Sequence, residues 1–203
     1  MLARFACASA LAALTTSSAW AQGYVGLALG QAKYIDACAG VPSSITCSGS
    51  DTSLRMFGGY KFNPHFAVEA GASTLGTVRA STGESADLDA VDLSALVSWP
   101  LANRFAVYGS LGLYFGDTTV SPGAATPVPA VFPPPPPPPR VGWVSGSTMG
   151  LTYGLGASFE MAQHAVLRLE WQRFDYFGGN DSYGFAGPSI GVDVYSIGAL
   201  LQF

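Results

Sequence analysis

The 203-residue sequence predicts an all-β fold: an eight-stranded antiparallel transmembrane β-barrel of up-and-down topology, with short turns at one end and long loops at the other. Three observations carry this reading. Apolar residues recur at every second position in eight separate stretches, the period of a strand with one apolar face. The connectors between those stretches alternate strictly between short and long. Hydrophobic residues make up 49% of the chain and charged residues 11%, where about 25% charge is usual in soluble domains. The mean hydropathy of +0.31 suits a membrane, yet the stretches are too polar on one face to be spanning helices. Hydrocarbon offers no water to unpaired backbone groups, so strands that cross it must close into a barrel.

The chain opens with an export signal. Arg4 supplies a positive start, 5–14 is a short apolar run, and Ala19-Trp20-Ala21 fits a small-x-small cleavage site, so the mature chain is expected to begin at Gln22. Residues 22–203 then form the barrel domain. Cleavage leaves 8 basic against 13 acidic side chains, a net charge of −5, which speaks against nucleic acid as a partner.

The strands follow in order. Val25, Leu27 and Leu29 alternate with Gly26, Ala28 and Gly30. Leu54, Met56, Tyr60 and Phe62 alternate with Arg55, Gly59 and Lys61. Phe66, Val68, Ala70 and Ala72 face away from Ala67, Glu69, Gly71 and Ser73. The fourth set is Val91, Leu93, Ala95, Val97 and Trp99, and the fifth is Phe105, Val107, Leu111, Leu113 and Phe115. The sixth is Met149, Leu151, Tyr153, Leu155 and Phe159, the seventh Leu167, Leu169 and Trp171, and the eighth Tyr195, Ile197, Ala199, Leu201 and Phe203. Each is close to the roughly 9–11 tilted residues that cross a bilayer. Asn63-Pro64, 100–103 and 162–164 are the expected short turns; the other connectors are long and polar. A soluble β-sandwich shares the alternation but has no reason to alternate its loop lengths. Many aromatic residues fall near segment ends, where rings prefer the headgroup interface. The charge-free stretch 141–159 is long enough for a helical span, but its glycines share one parity and lower helix propensity, which favours a strand.

Cys38 and Cys47 flank a short Gly-, Pro- and Ser-containing loop, and a disulfide between them is expected in an oxidising compartment. The long outer loop assigned to 116–147 contains Pro133 to Pro139, a run expected to extend as polyproline II. Asp36, Glu84, Asp87, Asp89, Asp117 and Asp181 are expected to give the outer loops an acidic surface. Charges within strands fall on the inward parity, because a lipid-facing Arg or Lys costs about 2–4 kcal/mol near the midplane. Arg55, Lys61, Glu69, Asp92, Glu160, Arg168 and Glu170 all do so, and Glu69, Arg168 and Glu170 are expected to join with Lys61 or Arg55 in a lumen network. Eight strands leave an interior just wide enough for side chains to fill; the inward glycines leave room for water-filled gaps but not for a wide pore.

The residues 24–31, the hairpin 57–69 and Leu167-Arg168-Leu169-Glu170-Trp171 resemble strands of the OmpA-like transmembrane domain, within the wider family of small outer-membrane β-barrels. The resemblance covers 22–203. It implies that Tyr195, Ile197, Ala199, Leu201 and Phe203 form the C-terminal signal read by the barrel-assembly machinery. It also implies an outer membrane of a Gram-negative-type cell, with membrane lipid and lipopolysaccharide as surroundings. The chain stops at its last strand, so the peptidoglycan-binding domain of the best-known family member is not expected. The leading functional expectation is a non-enzymatic barrel with a structural, surface-interaction or adhesion role, its outer loops meeting a host or surface ligand. A narrow solute channel gated through the lumen charges, or a porin-like porter, is the alternative. A lipid A-modifying enzyme needs a nucleophile and base in reach of each other; the only histidines, His65 and His164, fall in turns with no His-x-Ser arrangement. No catalytic residue, cofactor or metal is expected.

Overall fold

The computed structural model of the chain describes residues 22–35, 49–79, 85–121, 145–177 and 190–203. They form eight strands: β1 (Gln22–Ile35), β2 (Ser50–Lys61), β3 (Phe66–Arg79), β4 (Ser85–Ala102), β5 (Phe105–Ser121), β6 (Gly146–Ala162), β7 (Ala165–Phe177) and β8 (Ile190–Gln202). Each pairs antiparallel with its sequence neighbours, and β1 pairs with β8, so the sheet closes into a barrel. The closing register runs from Tyr24 opposite Gln202 to Ile35 opposite Gly191. Among the described residues there is no helix, and the stretch read against a helical span enters β6 at Gly146.

The alternation sorts residues as a membrane barrel requires. Outward positions such as Leu27, Met56, Leu93, Leu111, Leu155 and Leu201 are exposed, all above 55%, while the inward Tyr24, Phe57, Glu69 and Arg168 are below 5%. At the short-turn end an outward belt of Tyr60, Phe62, Phe66, Trp99, Phe105, Phe159 and Phe203 closes the apolar band.

The turns are built by small local devices. Between β2 and β3, the Asn63 side-chain oxygen accepts from the backbone N–H of His65 (2.8 Å) and of Phe66 (2.9 Å), an Asx-type turn that leaves Pro64 with no donor to satisfy. The turn expected at 100–103 is tighter: Pro100, Leu101 and Ala102 remain in β4, with a register shift between Pro100 and Ala102. A bulge at a strand end is where proline is tolerated within a sheet.

At the other end the strands reach further than the loop bounds 116–147 allow. The β-branched Thr118, Thr119 and Val120 continue β5 against Leu88, Asp87 and Ala86 of β4, and β6 already begins at Gly146. Asp87, Asp89 and Asp117 therefore stand on strands rather than in loops, exposed above the lipid band, with Asp89 directly opposite Asp117. The β3 strand contains a bulge between Thr74 and Gly76. Gly76 has φ +86°, a conformation that side-chain-bearing residues rarely adopt. Asp51 secures it, its two carboxylate oxygens accepting from the backbone N–H of Thr52 and of Thr77, each at 2.8 Å. The bulge shifts the strand's phase, so both Leu75 and Val78 point inward and are fully buried.

The interior is therefore layered. Towards the long-loop end it is apolar: Tyr34, Leu75, Val78, Leu88, Tyr114, Phe174 and Val192 pack with several alanines. This apolar layer lies beside the expected lumen charges and was not among the expectations. The inward glycines also leave no gaps where aromatic rings lie over them. A Cβ on Gly156 would fall 2.2 Å from the Tyr108 ring, and one on Gly59 would fall 2.3 Å from that of Tyr24.

Candidate functional site: the charged layer of the interior

Below the apolar layer the inward positions of six strands converge on a buried charged layer. Alternation aims Arg55 of β2, Glu69 of β3, Asp92 of β4 and Arg168 and Glu170 of β7 into it, with Tyr24 of β1 and Tyr108 of β5 beside them. The two glycines just described permit this. Because Gly59 and Gly156 have no side chains, the Tyr24 and Tyr108 rings lie flat across neighbouring strands, and their hydroxyls reach the charges.

The ion pairs form a chain. Arg55 bridges Asp92 and Glu69, at 2.8 Å to each. Arg168 bridges Glu69 at 2.5 Å and Glu170 at 3.1 Å, and Arg55 also lies 3.8 Å from Glu170. Glu69 is the hub, accepting from Arg55, Arg168 and the Tyr24 hydroxyl (2.8 Å). The Arg168 Nε donates to the Tyr108 oxygen at 2.7 Å, so every edge of its guanidinium is used. Its flat face lies over Phe57, 4.7 Å from the ring centroid, which adds a cation–π contact. The layer holds three carboxylates against two guanidiniums.

The structure thus brings together Arg55, Glu69, Arg168 and Glu170, and adds Asp92. Lys61 stands apart: its ammonium lies 6.0 Å from the centroid of the Tyr24 ring and is not among the ion-paired groups. Glu69 stands opposite Gly59, two residues from Lys61, and its oxygens are taken instead by the Tyr24 hydroxyl and the two arginines. It lines instead a vestibule of about 340 Å³ at the short-turn end, with Gln22, Ser98, Ser158, Glu160 and Gln202, and Arg168 at its floor. Glu160, expected inside, is exposed at the rim of this vestibule. Asp92 was recognisable from its inward parity, but parity alone does not say which inward charges meet.

The remaining candidates fall as follows. Tyr195, Ile197, Ala199 and Leu201 share the outward face of β8, followed by Phe203, whose backbone N–H donates to Gly23 at 3.0 Å. Gln22 begins β1. Ala19, Ala21, Cys38, Cys47 and Pro133 to Pro139 lie outside the described residues. His65 and His164 sit on different turns, each with ring Nδ1 3.1 Å from a carbonyl of the adjacent strand, Ser98 and Gln202 respectively. Among the described residues no group of three or more His, Cys, Asp or Glu side chains is placed to hold a metal ion.

A closed eight-stranded barrel with an apolar exterior and an ion-paired interior defines a class, the small transmembrane β-barrels. The chain belongs to the outer membrane protein beta-barrel domain family, which matches residues 2–203. Among solved structures it is similar to Ail, the attachment invasion locus protein of Yersinia pestis, at 15% identity over 91% of this chain and 99% of that one, with a TM-score of 0.56. It is likewise similar to Neisserial surface protein A at 17% identity, over 89% and 97% of the two chains, with a TM-score of 0.58. The outer membrane protein OprG from Pseudomonas aeruginosa matches at 18% identity over 91% and 96%, with a TM-score of 0.52. No curated protein matches the sequence. These likenesses place the chain in the outer membrane of a Gram-negative-type cell, with its short turns on the periplasmic side.

Proposed function

We propose that this barrel is a non-enzymatic scaffold that displays its outer loops for surface interaction or adhesion. One observation carries the reading: the interior is filled. A charged layer in which Arg55, Glu69 and Arg168 are tied by hydrogen bonds of 2.5–2.8 Å is capped on its outer side by a cluster containing the fully buried Leu75, Leu88, Tyr114 and Phe174. Such packing among the described residues favours a rigid stalk over a conduit, which leaves the loops as the variable surface. The similarity to a barrel named for attachment and invasion supports the same reading. In this proposal the leader is removed after Ala21, Cys38 and Cys47 close a disulfide in the first outer loop, and the proline run projects from the third. Tyr195, Ile197, Ala199, Leu201 and Phe203 serve as the assembly signal for the barrel-assembly machinery, and lipopolysaccharide surrounds the outer rim.

Deletion of 122–139 tests it. Cells carrying the variant should keep wild-type amounts of heat-modifiable barrel in their outer membranes and lose binding to host-cell or abiotic surfaces. Unchanged binding together with steady conductance of the purified wild type in planar bilayers would transfer the function to the lumen.

A further inference from the structure

We propose that the mature chain begins at Gln22 and that this glutamine is closed to a pyroglutamyl lactam. The proposal rests on the reading that the leader is cleaved after Ala21. Gln22 is exposed at the first position of β1, on the lip of the periplasmic vestibule, and in the barrel register it stands directly opposite Lys61. The other charged groups lining that vestibule, among the described residues, are Glu160 and Arg168, and Arg168 is committed to Glu69 and Glu170. A free α-ammonium at Gln22 would set a second cation across from Lys61 with Glu160 to serve both. Like charges directly opposite on neighbouring strands are destabilising.

Glutamine removes this charge by its own chemistry. The α-amine lone pair attacks the side-chain amide carbon. A C–N bond forms in a five-membered ring, the bond to the amide nitrogen breaks, and ammonia departs with a proton from the amine. The product is neutral, and no oxidant or reductant is consumed. The lactam also denies a periplasmic aminopeptidase its substrate amine. That matters here because β1 is one side of the closing seam. Loss of Gln22 and Gly23 would remove the carbonyl that receives the Phe203 N–H at 3.0 Å.

The test is mass spectrometry of the N-terminal tryptic peptide, 22–33, from protein purified out of outer-membrane fractions. The expected peptide is lighter than the linear sequence by one ammonia, while a synthetic linear peptide 22–33 carried through the same preparation stays linear. A native peptide that begins at Gln22 with its amine intact overturns the lactam. So does cyclisation of the synthetic control to the same extent. A peptide beginning elsewhere overturns the cleavage reading itself. In lipid vesicles, aminopeptidase should trim a Gln22→Ala variant and spare the wild type; equal trimming of both defeats the protective role.

Discussion

Glu69 receives hydrogen bonds from three other strands: from Tyr24 on β1, Arg55 on β2 and Arg168 on β7. It neutralises part of both guanidiniums, and its loss leaves each with a single close carboxylate, Arg55 with Asp92 and Arg168 with Glu170. Breaking a buried pair by removing one partner costs about 3–5 kcal/mol. Glu69→Gln should lower unfolding stability in lipid vesicles, measured by urea titration, by that order. Lys61→Met should cost below about 1 kcal/mol, because Lys61 holds no ion pair in the layer. Equal shifts for the two variants would mean that Glu69 is not the hub. Much at this residue scale was legible in advance, because alternation alone puts Arg55, Glu69, Arg168 and Glu170 on the inner face. The difference between Lys61 and Asp92 was not. It depends on height along the barrel axis, which the tilt and register of the strands set and the parity of one strand does not record. The ring-over-glycine fits of Tyr24 on Gly59 and Tyr108 on Gly156 escaped for a related reason: each joins residues on neighbouring strands through a register that no single stretch displays.

The β3 strand shows what an element adds to its residues. Its first half obeys strict alternation, and after the bulge at Gly76 the phase changes, so that Val78 points inward. Alternation read from the strand's centre therefore stops short of its end. In the outer halves of β4 and β5, Asp87, Asp89 and Asp117 likewise interrupt the apolar pattern, so the sequence there looks like loop. Those carboxylates lie on strands that have left the lipid, where the outward face no longer needs to be apolar. The apolar outer cluster went unseen with them, since Leu75, Val78, Leu88 and Phe174 all lie beyond the strand cores first recognised. Gly76→Val tests the bulge. Its backbone is at φ +86°, and a Cβ there would lie 2.7 Å from that of Asp51. The expected loss is about 1–3 kcal/mol. Hydrogen exchange should quicken at the outer ends of β2 and β3 and stay slow at their periplasmic ends. Uniform acceleration along both strands would contradict a local role for the bulge.

At the level of the whole molecule, the two filled layers predict electrical behaviour. Wild-type protein in planar bilayers should show no steady conductance. A Leu88→Ser, Phe174→Ser double variant thins the outer cluster and should admit ions, with a preference for cations because the charged layer beneath carries three carboxylates against two guanidiniums. Heat-modifiable migration on gels would confirm that the variant still closes. An anion preference would contradict the charge assignment, and steady wild-type conductance would contradict the seal. The architecture was open to sequence reading because one physical demand, a paired backbone in hydrocarbon, repeats along all eight strands. The seal was hidden because it is assembled from strand ends that meet only once the barrel has closed.

The seam between β1 and β8 sets a timetable. Tyr24 pairs with Gln202, so a residue of the first strand waits for one of the last strand to be made. Loop-closure entropy must be met before such distant contacts return any stability, which makes the closing step slow. Until then two strand edges stay unpaired and prone to sticking. A chain cut short before the last strand leaves a sheet with nowhere to close.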